Sequence, residues 1–559
     1  MPKTHRKYGV RALLGAALAA SMLAGCVPSK NTPETDSSAI QNEKDRFNKK
    51  QNEEKTEDTS EKVDDDIEIA DLQSVSSSTI DLSSASSGLK IVNGGTYTLT
   101  RTGKYPVVVD AKDQSVTLKL DGANLSVTDG PAIFVRNAKD VAIETSAAST
   151  VSSNSHAKDS TIAVLDAAIY SRAPLTLSGS AKLTISDAAG SAVKAKEDLV
   201  VQNGTYALSA EEDGIHASDA LTIQNGDLTI QSEDEGIDVN DTLTIEKGTF
   251  TITSQGDSLR AEGAVTLKDG TYTIQSESEG IESKDTLTIE KGTYTINSTD
   301  DCLNAANSLS IQGGKLTLVS KTNDGVDSNG DLLISGAEIY AAALQNPEGA
   351  FDTDRGTFKI SGGTVVGLSA TATKPTDAAQ NTVMIAASSF KKLELKQNGK
   401  TLITWNNTQT GNAASITLTL SCKDLTAGKD AELWLDGTKS EFFTVEEGLT
   451  TVGNISVMGP GGMQGGPGRG QMREEFDPED LPDDFDPENM PDDFDPEDMP
   501  DDFEGMMPPE RPDGESGNSN GQNGGRPNRP SRRPDTDTYG DWDAQSGATQ
   551  NGQSKSQSV

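Results

Sequence analysis

The chain has 559 residues, 33% of them hydrophobic and only 4% aromatic, with 48 Lys and Arg against 87 Asp and Glu for a formal net charge of -39. That length can build a sizeable core. The charge excludes nucleic acid and anionic surfaces as partners, because phosphate binding needs clustered Lys and Arg, and it makes cations the natural counterparts.

In chain order, Lys3, Arg6, Lys7 and Arg11 precede an apolar run from Ala12 to Leu23 and then "LAGC" at Leu23 to Cys26. This reads as a secretory signal over residues 1–25 that ends in a lipobox. The expectation is a protein lipid-anchored at Cys26 on the extracellular face of the bacterial cell membrane. No other apolar run approaches the roughly 20 residues of a membrane span, so the anchor is the only expected membrane contact. Cys302 and Cys422 lie far apart in sequence and are expected to be free thiols. Residues 26–87 are rich in Ser, Glu, Asp, Lys and Asn with almost no aromatics, the composition of a disordered acidic tether.

Residues 88–370 carry a repeat. Gly204, Gly226, Gly248, Gly270, Gly292, Gly314 and Gly336 fall every 22 residues, and so do Leu199, Leu221, Leu243, Val265, Leu287 and Leu309. Within a unit the period is two: in "DTLTIEKGTFTI" Leu243, Ile245, Phe250 and Ile252 face one way and Thr244, Thr249 and Thr251 the other. A third apolar segment closes each unit at Ile215, Ile237, Leu259, Ile281, Leu303 and Val326. Short strands of this kind bury their apolar face only by stacking unit on unit. The fold class expected is all-β: a right-handed parallel β-helix of 22-residue rungs with three parallel sheets and an internal aromatic column of Tyr206, Phe250, Tyr272 and Tyr294. "GPAIFV" at Gly130 and "DAAIYS" at Asp166 read as earlier, degenerate rungs. The outward Thr pairs at Thr249 and Thr251, Thr271 and Thr273, and Thr293 and Thr295 follow from ordinary β-propensity on a solvent face.

Residues 371–457 break the register. "NTVMIAA", "KTLITW", "SITLTLS" and "AELWLDG" read as strands of a small β unit capping the open end of the rod. Residues 458–559 are a disordered Gly/Pro/Asp-rich tail in which "FDPEDLPDD", "FDPENMPDD" and "FDPEDMPDD" start at Phe476, Phe485 and Phe494.

The chemistry lies in the acids. In the repeat register Asp213, Glu235, Asp257, Glu279, Asp301 and Asp324 form one column, and His216, Asp238, Arg260, Glu282, Asn304 and Asp327 a second, with Asp234 and Asp300 flanking. Stacked about 5 Å apart, two unit charges repel by roughly 1 kcal/mol in water and about 3.5 kcal/mol at an effective dielectric of about 20. Oxygen-rich clusters at turns suit a hard cation, so calcium is the expected cofactor, with Asp213, Asp234, Glu235, Asp238, Asp257, Glu279, Glu282, Asp300, Asp301, Asp324 and Asp327 the candidate ligands. The alternative is that these side chains splay into salt-screened solvent.

No catalytic residue is assigned. There are 3 His in all, and no nucleophile elbow, CxxC or HExxH motif. Arg260 is the only Arg of the regular repeat. Beside a calcium-polarised uronate it could serve β-elimination, as in a polysaccharide lyase; the other reading is that it pairs with Asp238, Asp257 or Glu282 and neutralises the file.

The lipobox, the acidic linker, the "LTIxxGTYTI" rungs with "DGI" or "EGI" turns and the Gly/Met/Pro tail together resemble the carbohydrate-binding-domain-containing surface lipoproteins of clostridia and their relatives, over roughly residues 88–457. The resemblance implies a pectate-lyase-like right-handed β-helix, calcium at the acids before the "GI" turns, and non-catalytic binding of plant polysaccharides such as cellulose or polygalacturonate. A glycan that is acidic and bridged through calcium suits these residues best.

Overall fold

Alternation sets the strands and the 22-residue repeat stacks them. The computed structural model describes residues 72–156, 165–407 and 416–458. The signal sequence with Cys26, the tether as far as residue 71 and the acidic tail lie outside the described residues, whereas residues 72–87, expected as tether, carry two strands and a 3-10 turn. One rung consists of Ile215–Ala217, Leu221–Ile223 and Asp227–Ser232, and the next of Ile237–Val239, Leu243–Ile245 and Thr249–Ser254. Each strand pairs in parallel with its equivalent one rung on, Ile215 with Ile237, Leu221 with Leu243 and Leu228 with Phe250.

Three ladders result, named here by the order of their strands within a rung. The first holds 13 strands, from Gln73–Ser74 to Asp352–Thr353. It therefore starts before position 88, in a stretch where Ile80 and Leu82 are buried. The second and third belong to one hydrogen-bonded sheet, because the strand Ser115–Val127 pairs with Asp140–Ala147 along its first half and with Ser149–Ser153 along its second. The degenerate rungs are present as Ile133–Asn137 and Ala167–Ser171. Apart from one 3-10 turn at Leu82–Ser84, the described residues contain no helix.

The interior is a single aliphatic file with the expected aromatic column inside it. Phe250, Tyr272 and Tyr294 stack face to face with ring centroids 4.8 and 4.5 Å apart, following the strand spacing. Glycine precedes each third-ladder strand from Thr205–Ala210 to Lys315–Ser320 because the rungs leave no room for a side chain: at Gly248, with φ of +150°, a Cβ would lie 2.6 Å from the Gly226 carbonyl oxygen. Gly336 keeps the numerical spacing but leaves this column. An extra residue before Asp324 shifts the register so that Lys315 pairs with Glu338, and Ala337 takes the place after Gly314.

The C-terminal strands close the rod. Thr364–Ser369 pairs antiparallel with Ile416–Cys422, which pairs with Thr382–Ala387, so the last parallel strand has no open edge. A four-stranded antiparallel sheet of Lys400–Asn406, Lys392–Gln397, Asp430–Leu435 and Thr438–Thr444 packs on this cap through a second core that includes Leu393, Ile403, Leu418 and Leu433. Cys302 and Cys422 are free thiols, both buried.

Candidate functional site

The acids sit where the chain turns into the first ladder and at the middle, outward-facing position of its strands. Rungs approach closely at this turn: a Cβ on Gly236 would lie 2.4 Å from the Ser258 carbonyl oxygen. Asp213, Glu235, Asp238, Asp257, Glu282, Asp301 and Asp324 are consequently buried, Asp301 to 2% exposure, and they do not splay into solvent. The register runs Lys194, His216, Asp238, Arg260, Glu282, Asn304, Asp327, Asp352 along the strand column.

Backbone amides take up part of the charge of the turn column. The Glu235 N–H donates to Asp213 Oδ1 at 3.2 Å, Glu279 N–H to Asp257 Oδ1 at 3.2 Å, Asp324 N–H to Asp301 Oδ1 at 2.7 Å and Gly349 N–H to Asp324 Oδ1 at 2.6 Å. In each case the aspartate of one rung caps the turn of the next.

Cations neutralise the N-terminal half of the file. Lys194 Nζ lies 3.0 Å from Asp166, and His216 Nδ1 lies 3.4 Å from Asp213 Oδ2 and 3.2 Å from Asp238 Oδ2. Burial works against a charged His216, but its hydrogen bonds to the two aspartates outweigh that and raise its pKa. Arg260 reaches Asp238 at 2.9 Å, Glu282 at 3.4 Å and Glu262, while Lys284 lies 2.5 Å from Glu282. Glu282 is still pushed upward, by burial first and then by Asp257.

The C-terminal half is different. Carboxylate oxygens of Asp324, Asp327 and Asp352 lie within 4.8 Å of one another. Among the described residues no Lys, Arg or His forms an ion pair with Asp301 or with any of these three. Burial, with Asp324, Asp327 and Asp300 adding to it, drives Asp301 well above the ordinary carboxylate range. Burial does the same to Asp324, the Gly349 amide only partly opposing it. Asp327 is pushed up to about 7 by burial and by Asp352 and Asp354, and Asp352 and Glu348 are raised mainly by burial. Such groups are neutral only when they hold protons or a cation.

The candidate ligands are thus sorted unevenly. Asp213, Asp234 and Glu235 gather oxygens within 4.8 Å, as do Asp213 and Asp238 with His216. Glu282 belongs to the Arg260 network, Asp257 is its close neighbour, and half-buried Glu279 accepts from the Ser278 hydroxyl. Asp300 accepts from Asn323 at 2.6 Å and flanks the C-terminal group. Asp352 is a member that the repeat count misses, because it follows Asp327 after 25 residues. Its signal is present in the sequence, since "EGAFDT" at Glu348 restates the "DGVDS" turn at Asp324 after a loop insertion.

Arg260 is embedded as a counterion, so its removal should be costly. Arg260→Ala should lose about 3 kcal/mol at neutral pH by stranding Asp238 and Glu282, with a smaller loss at acid pH, where those carboxyls can take up protons. Thermal melts at both pH values check this; equal melting temperatures for variant and parent at neutral pH would contradict it.

No curated protein matches the chain. A solved structure described as the polysaccharide lyase-like protein from C. thermocellum, a gadolinium derivative, is similar at 21% identity with a TM-score of 0.30, over 47% of this chain and 95% of that one. The family of carbohydrate-binding domain-containing proteins matches residues 85–325 and 278–462, which together take in the solenoid except its first strands, Gln73–Ser74 and Thr79–Asp81, and the C-terminal strands. The chain belongs to the carbohydrate-binding domain-containing protein family.

Proposed function

We infer that this is a lipid-anchored, extracellular, non-catalytic polysaccharide-binding protein that prefers acidic glycans bridged by calcium. The observation that carries the reading is the convergence of Asp324, Asp327 and Asp352 within 4.8 Å, with no cationic partner among the described residues, on a chain of a carbohydrate-binding family. The donor set fits calcium, since it is all oxygen and its carboxyl groups, buried at Asp324 and half-buried at Asp327 and Asp352, are hard to ionise unaided. Asp324, Asp327 and Asp352 would hold the ion, with Asp300, Asp301 and Glu348 adding negative charge around it. Bound there, calcium would neutralise the file and offer a uronate carboxylate an electrophilic partner. Asp213, Asp234 and Glu235 form a second cluster of the same kind, near the cationic Lys194. The "LAGC" motif and the tether support display at the cell surface.

The lyase alternative asks Arg260 to accept a proton. Arg260 is engaged by three carboxylates that raise its pKa although burial opposes its charge, and a guanidinium so held does not act as a base at ordinary pH. Incubation with polygalacturonate and calcium separates the readings. Retention of the protein on the polymer without unsaturated, ultraviolet-absorbing product is expected. Product that accumulates and is lost in Arg260→Ala would overturn the binding-only reading.

A further inference from the structure

We propose that the groove between the third ladder and the four-stranded sheet is a second, calcium-independent subsite, which stacks a neutral pyranose ring of a polysaccharide on Trp405 and Tyr340. The groove has a volume of about 340 Å³ and is lined by Lys315, Thr317, Tyr340, Thr404, Trp405 and Asn406. That volume is within the usual range of small-ligand sites, roughly 300–1,000 Å³.

The sequence places the aromatics with some economy. Along the outward column of the third ladder the register runs Ala207, Thr229, Thr251, Thr273, Thr295, Thr317 and then Tyr340. Small side chains serve the solenoid for six rungs, and an aromatic appears only where the four-stranded sheet stands opposite. Trp405 comes from that sheet, on Lys400–Asn406. The two ring centroids are 5.6 Å apart with the planes tilted by 33°, and both rings remain half-buried at the groove. A half-buried aromatic pair backed by the second core keeps some solvent-facing apolar surface of the kind the C–H face of a sugar ring covers.

The rim is polar and electrically balanced. Lys315 Nζ lies 2.9 Å from Glu338 and 6.0 Å from the Tyr340 ring centroid. Burial and the hydrogen-bonded Glu338 carboxylate lift the Tyr340 hydroxyl to about 12, so it stays a neutral donor. Lys315, Glu338, Thr404 and Asn406 together give donors and acceptors for sugar hydroxyls, with no net charge to favour a uronate. This distinguishes the groove from the acidic file on the first ladder. The exposed hydroxyls of Thr251, Thr273 and Thr295 continue from the groove along the rod, a flat polar strip on which the rest of a glycan chain could lie.

The proposal rests on the polysaccharide-binding reading but not on its calcium component. The test uses the full chain in excess chelator, titrated calorimetrically with neutral hexasaccharides of β-1,4-linked glucose, xylose and mannose. At least one is expected to bind, with affinity reduced roughly tenfold or more in Trp405→Ala, as for an aromatic hot spot, and largely kept in Trp405→Phe. Melting temperatures of the variants identify any loss that comes from unfolding, and Tyr340→Ala gives an independent reading of the same site. Absence of binding by all three sugars, or equal affinity of parent and folded Trp405→Ala, overturns the proposal. Absence of polygalacturonate binding in the presence of calcium, with neutral-sugar binding intact, would count against the calcium reading alone.

Discussion

Replacing Ile237 by Asp is expected to unfold the solenoid or to lower its melting temperature by more than about 5 °C, equivalent to roughly 4–5 kcal/mol for a domain of this size. Ile237 is 0% exposed and stacked between Ile215 and Leu259 of the adjoining rungs. A carboxylate there has no partner, and neither ionising nor holding a proton recovers the lost apolar contact. Each rung contacts chiefly its neighbours, so a fault in the middle interrupts the stacking of both halves. Thr251→Asp, at an exposed position in the same rung, is the matched control and should shift stability by about 0.5 kcal/mol or less. Circular dichroism melts that superimpose for Ile237→Asp and the parent would contradict the fold-level account.

The second large effect is that of calcium and pH on stability. An ordinary Asp titrates near about 3.9. In the folded chain burial and neighbouring acids raise Asp301 and Asp324 well above that, and Asp327 to about 7. The folded state therefore binds these protons more tightly than the unfolded chain does. Their contribution is complete below about pH 4 and is lost as pH rises through the raised folded pKa values, about 7 for Asp327. Chelated protein should accordingly melt lower at pH 8 than at pH 5. Calcium at 100 times its dissociation constant should restore about 2.7 kcal/mol at pH 8 and less at pH 5, where protons compete for the same oxygens. Joint substitution of Asp324, Asp327 and Asp352 by Asn should flatten both responses. Melting curves that coincide with and without calcium at pH 8 and constant ionic strength would remove calcium from the account.

Much of the fold was legible because β-solenoids write their register into the sequence. The Leu199-to-Leu309 column and the aromatic stack at Phe250, Tyr272 and Tyr294 are where alternation and period place them. Legibility ends where insertions enter. Gly336 satisfies the count yet leaves the column, and Asp352 fails the count yet joins it, because pairing follows space and not residue number.

At the site, the sequence shows which residues share a column but not how each charge is met. A row of acids at fixed spacing looks uniform, whereas in three dimensions Lys194, His216 and Arg260 neutralise one end and leave the other to Asp301, Asp324, Asp327 and Asp352. That asymmetry depends on side-chain reach and burial, neither of which a repeat pattern encodes. Nor does a strand pattern reveal that Tyr340 and Trp405, 65 positions apart in the chain, line one groove.

The claim that calcium at the C-terminal carboxylates links this chain to an acidic glycan is tested most directly by the affinity for polygalacturonate in calcium and in chelator, for the parent and for the folded Asp327→Asn/Asp352→Asn variant. The account predicts binding by the parent in calcium, loss of at least about tenfold in chelator, consistent with the removal of a desolvated charge contact, and the same weak binding by the variant in both conditions. Equal affinity of parent and variant, or binding that chelator does not change, would contradict it.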